Sequence, residues 1–361
     1  RTGISRVLNP FSEGGIPDHE LTLGELLKQA GYATACVGKW HLGHLPKYLP
    51  RQHGFDSYFG IPYSNDMSPT TTANPNYKVK APPTPLIRNE ETIEHEPDQS
   101  QITRRYTEEA IGFIRKSHAD KKPFFLYLPH TFPHVPLFAS ERFRGKSARG
   151  LYGDVVEELD WSTGEILKTI KELGIDNNTV VFFSSDNGPW LIKKQEAGSA
   201  GLLREGKTST WEGGMREPFI ARWPGKIPAG VVTPAFGTLM DLMPTCARLA
   251  GVKLPADRVY DGADISDVLL SNAPGREPLL FYYLNEDLRA VRKGRWKLHV
   301  LSSSPTLGGQ LEKHDPPLLY DLLEDPSEKY DVSDSHPAIV RDLLDTLAKH
   351  KAELKPGPPQ R

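Results

Sequence analysis

Three short apolar runs, 33–37, 124–128 and 179–183, constrain this chain more than any other feature. Each follows an amphipathic, helix-length stretch. Before the first, Thr22-Leu23-Gly24-Glu25 reads as a capping box, with Leu23, Leu26, Leu27 and Ala30 on one face and Gly31 as the stop. Before the second, a helix over about 101–118 turns Tyr106, Ala110, Phe113 and Ile114 inward. Before the third, a helix over about 151–173 carries Tyr152, Val155, Val156, Leu159, Ile166, Leu167, Ile170 and Leu173 at the 3.6 period, closed by Gly174. Strands apolar on both faces that alternate with helices specify an α/β fold, a mostly parallel sheet covered on both sides. Ligands of such sheets bind beyond the carboxyl ends of the strands. Here those ends carry Lys39 and His41, then His130 and His134, then Asp186 and Asn187.

At 361 residues the chain is long enough for two domains. The pattern changes after Pro274: short strand-like segments at 279–284, 289–292, 296–301 and 318–322 precede a charged helix near 336–352. A small antiparallel sheet backed by that helix is expected over 276–361, after a larger domain over 1–275. The stretch 62–100, rich in Pro, Thr and Asn, reads as a long excursion over the mouth of the site. Lys+Arg 44 against Asp+Glu 46 gives a net charge of −2, which argues against a nucleic-acid partner. Cys36 and Cys246 are too few for a disulfide framework or a cysteine zinc site. No apolar run approaches the roughly 18 residues of a membrane span.

Lys39 and His41 stand between Gly38 and Gly43, which let the backbone turn sharply and approach a ligand. A lysine or histidine at such a place is more often a surface charge or a satisfied loop residue. Together they supply a fixed cation and a titratable donor suited to an anionic ester. His130 and His134 lie in a loop with three prolines (129, 133 and 136), whose stiffness suits a positioned acid but equally an ordinary turn. Asp186-Asn187-Gly188 is either an Asx turn or a pair of hard oxygen ligands for Ca²⁺ or Mg²⁺. Lys207 has glycine-rich flanks and Trp211 nearby, which favours a folded loop over a floppy one.

The run from Gly31 to Gly43 resembles the second signature of the sulfatase family. Gly60-Ile61-Pro62-Tyr63-Ser64-Asn65-Asp66, Ser185-Asp186-Asn187-Gly188-Pro189, the stretch 201–224 and 319–326 resemble its arylsulfatase A branch. The resemblance covers nearly the whole chain. It implies an alkaline-phosphatase-like fold and hydrolysis of sulfate monoesters, on a sulfated small molecule or glycan. It also implies a formylglycine nucleophile made from a Cys-x-Pro-Ser-Arg motif, and export from the cytoplasm. By resemblance, Lys39 holds the nucleophile and the sulfate, and His41 orients the hydrate and takes its proton as sulfate leaves. His134 and Lys207 bind sulfate oxygens and help the alcohol depart, Ser64 hydrogen-bonds in the same pocket, and Asp186 and Asn187 ligate calcium. Neither Cys36-Val37-Gly38 nor Cys246-Ala247-Arg248 matches the nucleophile motif. That motif and the remaining metal ligands are therefore expected upstream of Arg1, with Arg1-Thr2-Gly3 similar to the stretch a short way after it. On this reading the chain alone holds half a metal site and no nucleophile. Two alternatives are a phosphomonoester or phosphonate hydrolase of the same superfamily, and a non-catalytic domain that binds sulfated glycans.

Overall fold

The structure is a computed structural model, and it describes residues 2–360; Arg1 of the opening tripeptide lies outside the described residues. It has two compact units. The first comprises the chain up to Thr179, Leu239–Ser266 and the last residues from Gly357; the second comprises Val180–Thr238 and Asp267–Pro356.

In the first unit the capping box forms as expected. Glu25 N–H donates to Thr22 Oγ1 at 3.1 Å and Thr22 N–H donates to Glu25 Oε2 at 2.7 Å, opening α1 (Leu23–Gln29). The chain then lays down β1 (Ala33–Val37), β2 (Ser57–Gly60), the short helix α2 (Pro75–Lys80), β3 (Pro85–Arg88) and β4 (Glu91–His95). It continues through α3 (Ile102–Ala119), β5 (Phe124–Tyr127) and α4 (Gly150–Glu172). The sheet order is β4-β3-β2-β1-β5; β1 runs parallel to β2 and β5, and β3 and β4 are antiparallel additions. Cys36, Trp40, Leu49, Phe55, Tyr58 and Ile87 form one core cluster of this unit.

Two details differ from the expectation. The stretch 62–100 is not all excursion: β3 and β4 extend the sheet, because Leu86 and Ile87 are buried and Asn89, at φ 59°, makes the tight reversal between them. Val156 is 41% exposed although its neighbour Val155 is buried. It lies a third of a turn away from the stripe that Val155, Leu159, Ser162 and Ile170 bury.

In the second unit β6 (Val181–Ser184) pairs antiparallel with β7 (Phe219–Arg222), which follows the short α5 (Glu212–Met215). The 179–183 run is thus a strand, but it is not hydrogen-bonded into the parallel sheet. Apolar continuity specifies a strand and says nothing of its partner. In the first unit α6 is Leu242–Leu249, and α7 (Ser266–Ser271) follows. The sheet expected near the C-terminus is present in the order β11-β10-β9-β8, all antiparallel: β8 (Leu279–Leu284), β9 (Asp287–Lys293), β10 (Trp296–Ser303) and β11 (Leu311–Asp321). Helix α8 (Pro337–Glu353) covers one face through Leu343 and Leu347, packed against Leu288, Val291, Leu298 and Leu319. Strand β11 runs farther back than its apolar part; it is an edge strand, where Pro316 and Pro317 are tolerated. Among the described residues no helix is long and apolar enough to cross a membrane.

Candidate active site

In the first unit the turn after β1 is held from both sides. Gly38 N–H donates to Phe59 O at 2.8 Å, Lys39 N–H to Pro129 O at 2.8 Å, Trp40 N–H to Ile61 O at 3.0 Å and His41 N–H to Pro62 O at 3.1 Å. The turn beyond β1 is therefore a bridge between the segments that leave β2 and β5. Only glycine fits at the crossing. Gly38 sits at φ 136°, and a Cβ there would meet Pro129 O at 2.0 Å. Its opposite number Gly60 would put a Cβ 1.7 Å from Gly38 O.

This bridge gathers four of the residues singled out from the sequence. Lys39 and His41 come from the turn itself, with His41 at φ 59°. Ser64 and His134 come from the flanking segments, Ser64 Oγ lying 3.4 Å from His134 Nδ1, which is also 2.7 Å from Val135 O. Burial, and next the Lys39 ammonium, push the His41 imidazole down to about 3; a backbone hydrogen bond at Leu8 and the Asp66 carboxylate pull weakly the other way. His41 is thus neutral at neutral pH. Its Nε2 and Asp66 Oδ1 are both buried without a hydrogen-bond partner among the described residues. A buried polar atom left this way loses roughly 1–3 kcal/mol unless something else meets it, so the arrangement suits a polar ligand.

His130 goes the other way. It lies 3.4 Å from Ser162 Oγ of α4 and tilts against Tyr106 of α3, with burial lowering it to about 4. It is a packed histidine, not part of the Lys39 group.

In the second unit the turn after β6 carries Asp186 and Asn187. Lys207 N–H donates to Pro189 O at 2.9 Å, so its loop rests on the same turn, and Lys207 Nζ stands 5.0 Å over the Trp190 ring. A Cβ at Gly206 would meet Pro189 O at 2.1 Å, which explains the glycine before Lys207. Asn187 Nδ2 donates to Gly188 O at 3.1 Å, which leaves its side-chain carbonyl for a cation. One further residue escaped the sequence reading. Glu217 is pushed up to about 7 by burial and by the Asp186 charge, against a hydrogen bond from Ser185, and its Oε1 is buried without a hydrogen-bond partner among the described residues. Two carboxylates close enough for one to raise the other, with an amide carbonyl beside them, are hard donors of the kind calcium would take, although no group of three or more His, Cys, Asp or Glu among the described residues forms a complete metal site. Nothing in Arg216-Glu217-Pro218 signals this role; it arises from the β6–β7 pairing, which brings Phe219 opposite Ser184.

In the first unit a cation, two imidazoles and a hydroxyl gathered beyond the strand ends of an α/β sheet are suited to an anionic ester. The particular family follows from comparison. Residues 1–252 match the family described as Sulfatase, and 275–361 match the C-terminal region of aryl-sulfatase. The chain belongs to the sulfatase family and is a sulfuric ester hydrolase. It is 41% identical to N-acetylgalactosamine-6-sulfatase of Mus musculus, over 96% of this chain and 72% of that protein. It is 37% identical to arylsulfatase A of Bos taurus, over 98% of this chain and 76% of the relative. Among solved structures, the PsFucS1 sulfatase from Pseudoalteromonas sp. matches with a TM-score of 0.88 at 27% identity, over 100% of this chain and 79% of that one.

Proposed function

We propose that this sulfatase hydrolyses the sulfate monoester of a sugar or aryl alcohol, using a formylglycine nucleophile and one calcium ion, and that it works outside the cytoplasm. The names of its relatives, one of them an N-acetylgalactosamine-6-sulfatase, support a sulfated sugar as substrate. Formylglycine would supply, as its hydrate, an oxygen nucleophile, and calcium would supply positive charge, held by Asp186 and Asn187. This chain's own residues do the rest. Lys39 holds a sulfate oxygen and opposes the charge that gathers on the transferring group. His41, kept neutral by burial and by Lys39, accepts a proton through Nε2. His134 donates a proton to the departing alcohol, Ser64 fixes that ring, and Lys207 grips a second sulfate oxygen.

The observation that carries this reading is the Gly38–Gly60 crossing, because it sets a cation, two imidazoles and a hydroxyl around one turn. The decisive assay uses calcium-loaded, formylglycine-bearing protein on a chromogenic aryl sulfate and on sulfated sugars. If it never outpaces a Lys39→Ala control on any of them, the proposal fails. Two tightly bound zinc ions per chain would favour a phosphoester hydrolase instead. A rate flat from mildly acidic pH to well above neutrality would remove His134 from the acid role.

A further inference from the structure

The second unit buries a set of charges that the proposed reaction does not use. Lys297 of β10 has no exposed side-chain surface, and its Nζ donates to Thr210 O at 2.8 Å and Glu212 Oε1 at 2.8 Å, with Glu328 Oε1 at 3.0 Å. Glu328, also fully buried and at φ 50°, is the hub. Its Oε1 accepts from His299 Nε2 at 2.8 Å, its Oε2 accepts from Glu212 N–H at 2.6 Å, and its backbone O accepts from Arg204 Nη1 at 2.9 Å. Arg204 also lies 3.6 Å over the Trp211 ring, which stacks on His299 at 4.2 Å. Gly213 N–H donates to Arg204 O at 2.8 Å and so closes the loop at its base.

Arg204 and Glu212 flank Lys207, and both ends of the loop that presents it are bound to one residue, Glu328. A surface lysine loop needs no such anchoring. Buried ion pairs are weak devices for stability but can specify one conformation, and a group must be held within about 0.5 Å to serve an anion well.

We propose that Glu328 is a positioning residue for sulfate binding: through Arg204 on one side and Glu212 with Lys297 on the other, it fixes the loop that aims the Lys207 ammonium. This rests on Lys207 being a sulfate ligand, as proposed above. A carboxylate is needed at 328, because it must accept from a backbone amide, an ammonium and an imidazole at once, and an amide group cannot balance Lys297.

The test is a double-mutant cycle on the full chain, with inorganic sulfate as the probe and affinity measured by calorimetry. Glu328→Gln should weaken sulfate binding by about tenfold when Lys207 is present and by less than about twofold in a Lys207→Ala background. Glu328→Asp should recover part of the loss. Arg204→Ala loosens the same loop without touching the buried charges and should show the same non-additivity, which keeps the proposal testable if Glu328→Gln does not fold. Hydrogen exchange over 201–211 should quicken in both variants. Equal losses with and without Lys207, or no loss, overturn the positioning role while the sulfatase reading stands. If Lys207→Ala alone leaves sulfate affinity unchanged, the assignment of Lys207 fails and takes this proposal with it.

Discussion

The turn after β1 and the buried face of β10 each bring a lysine and a histidine together, with opposite outcomes. Around Lys297 and His299, carboxylates answer the cation: Glu212 and Glu328 stand within 3.0 Å of the ammonium, and burial works against the Glu328 carboxyl while Lys297 and His299 hold it down at about 2. Around Lys39 and His41, among the described residues, no carboxylate hydrogen-bonds the imidazole: Asp66 pulls on it only weakly, burial and next Lys39 push it down to about 3, and Nε2 is left unmet. A protein that merely needed buried charge would pair it, as it does in β10. Leaving the buried His41 Nε2 and Asp66 Oδ1 without hydrogen-bond partners among the described residues is costly, and it makes sense where a polar ligand arrives to meet them.

The sharpest break of this contrast is a pair of lysine deletions. Lys297→Met leaves two carboxylates buried without their cation and should lower the unfolding free energy by about 3–5 kcal/mol in urea titrations. Lys39→Ala should leave the unfolding free energy within about 1 kcal/mol of wild type, since the Lys39 side chain is only partly buried. In the proposed role, its loss should instead show in catalysis, as a fall of about 10²–10³ in kcat on an aryl sulfate, the size expected when one donor to a developing charge is lost. Equal stability losses at the two lysines would erase the distinction between them.

The sequence made one member of this pair legible and hid the other. Lys39 and His41 were readable because glycines flank them directly behind an apolar strand, where the α/β architecture puts ligands. Lys297 and His299 alternate with Trp296 and Leu298, the pattern of a strand with a wet face. That face is dry because Trp211, Tyr282 and Tyr320 cover it, and these come from distant parts of the chain. The helices and most strands followed from periodicity and caps. The partner of β6, the β3–β4 addition and the approach of Glu217 to Asp186 did not, because strand pairing depends on contacts far apart in sequence that no local pattern encodes.

The Asp186 turn extends the comparison to a cation. There a carboxylate repels a carboxylate, and a divalent ion is the group that would settle it. Calcium at about a hundred times its Kd should stabilise the protein by about 2.7 kcal/mol, read as a rise in Tm that EDTA reverses. Asp186→Ala should abolish that rise. A rise that survives the substitution would mean that calcium is held elsewhere.

The smallest expected effect concerns the paired histidine. Burial holds His299 at about 4 in the folded protein against the pull of Glu328, whereas the unfolded chain takes up the same proton near 6.5. Below that value the unfolded state binds more protons, so stability is full above about pH 6.5 and is lost as pH falls toward 4. Glu328, lowered from 4.5 to about 2, adds loss of the same sign at still lower pH. His299→Gln keeps a donor for Glu328 and cannot titrate. Between about pH 7 and pH 5.5 the variant should therefore lose about 1 kcal/mol less stability than the wild type. An unchanged slope would mean that His299 already carries its proton in the folded state, which would make the β10 cluster a doubly cationic set, unlike the Lys39 turn, where the imidazole is neutral.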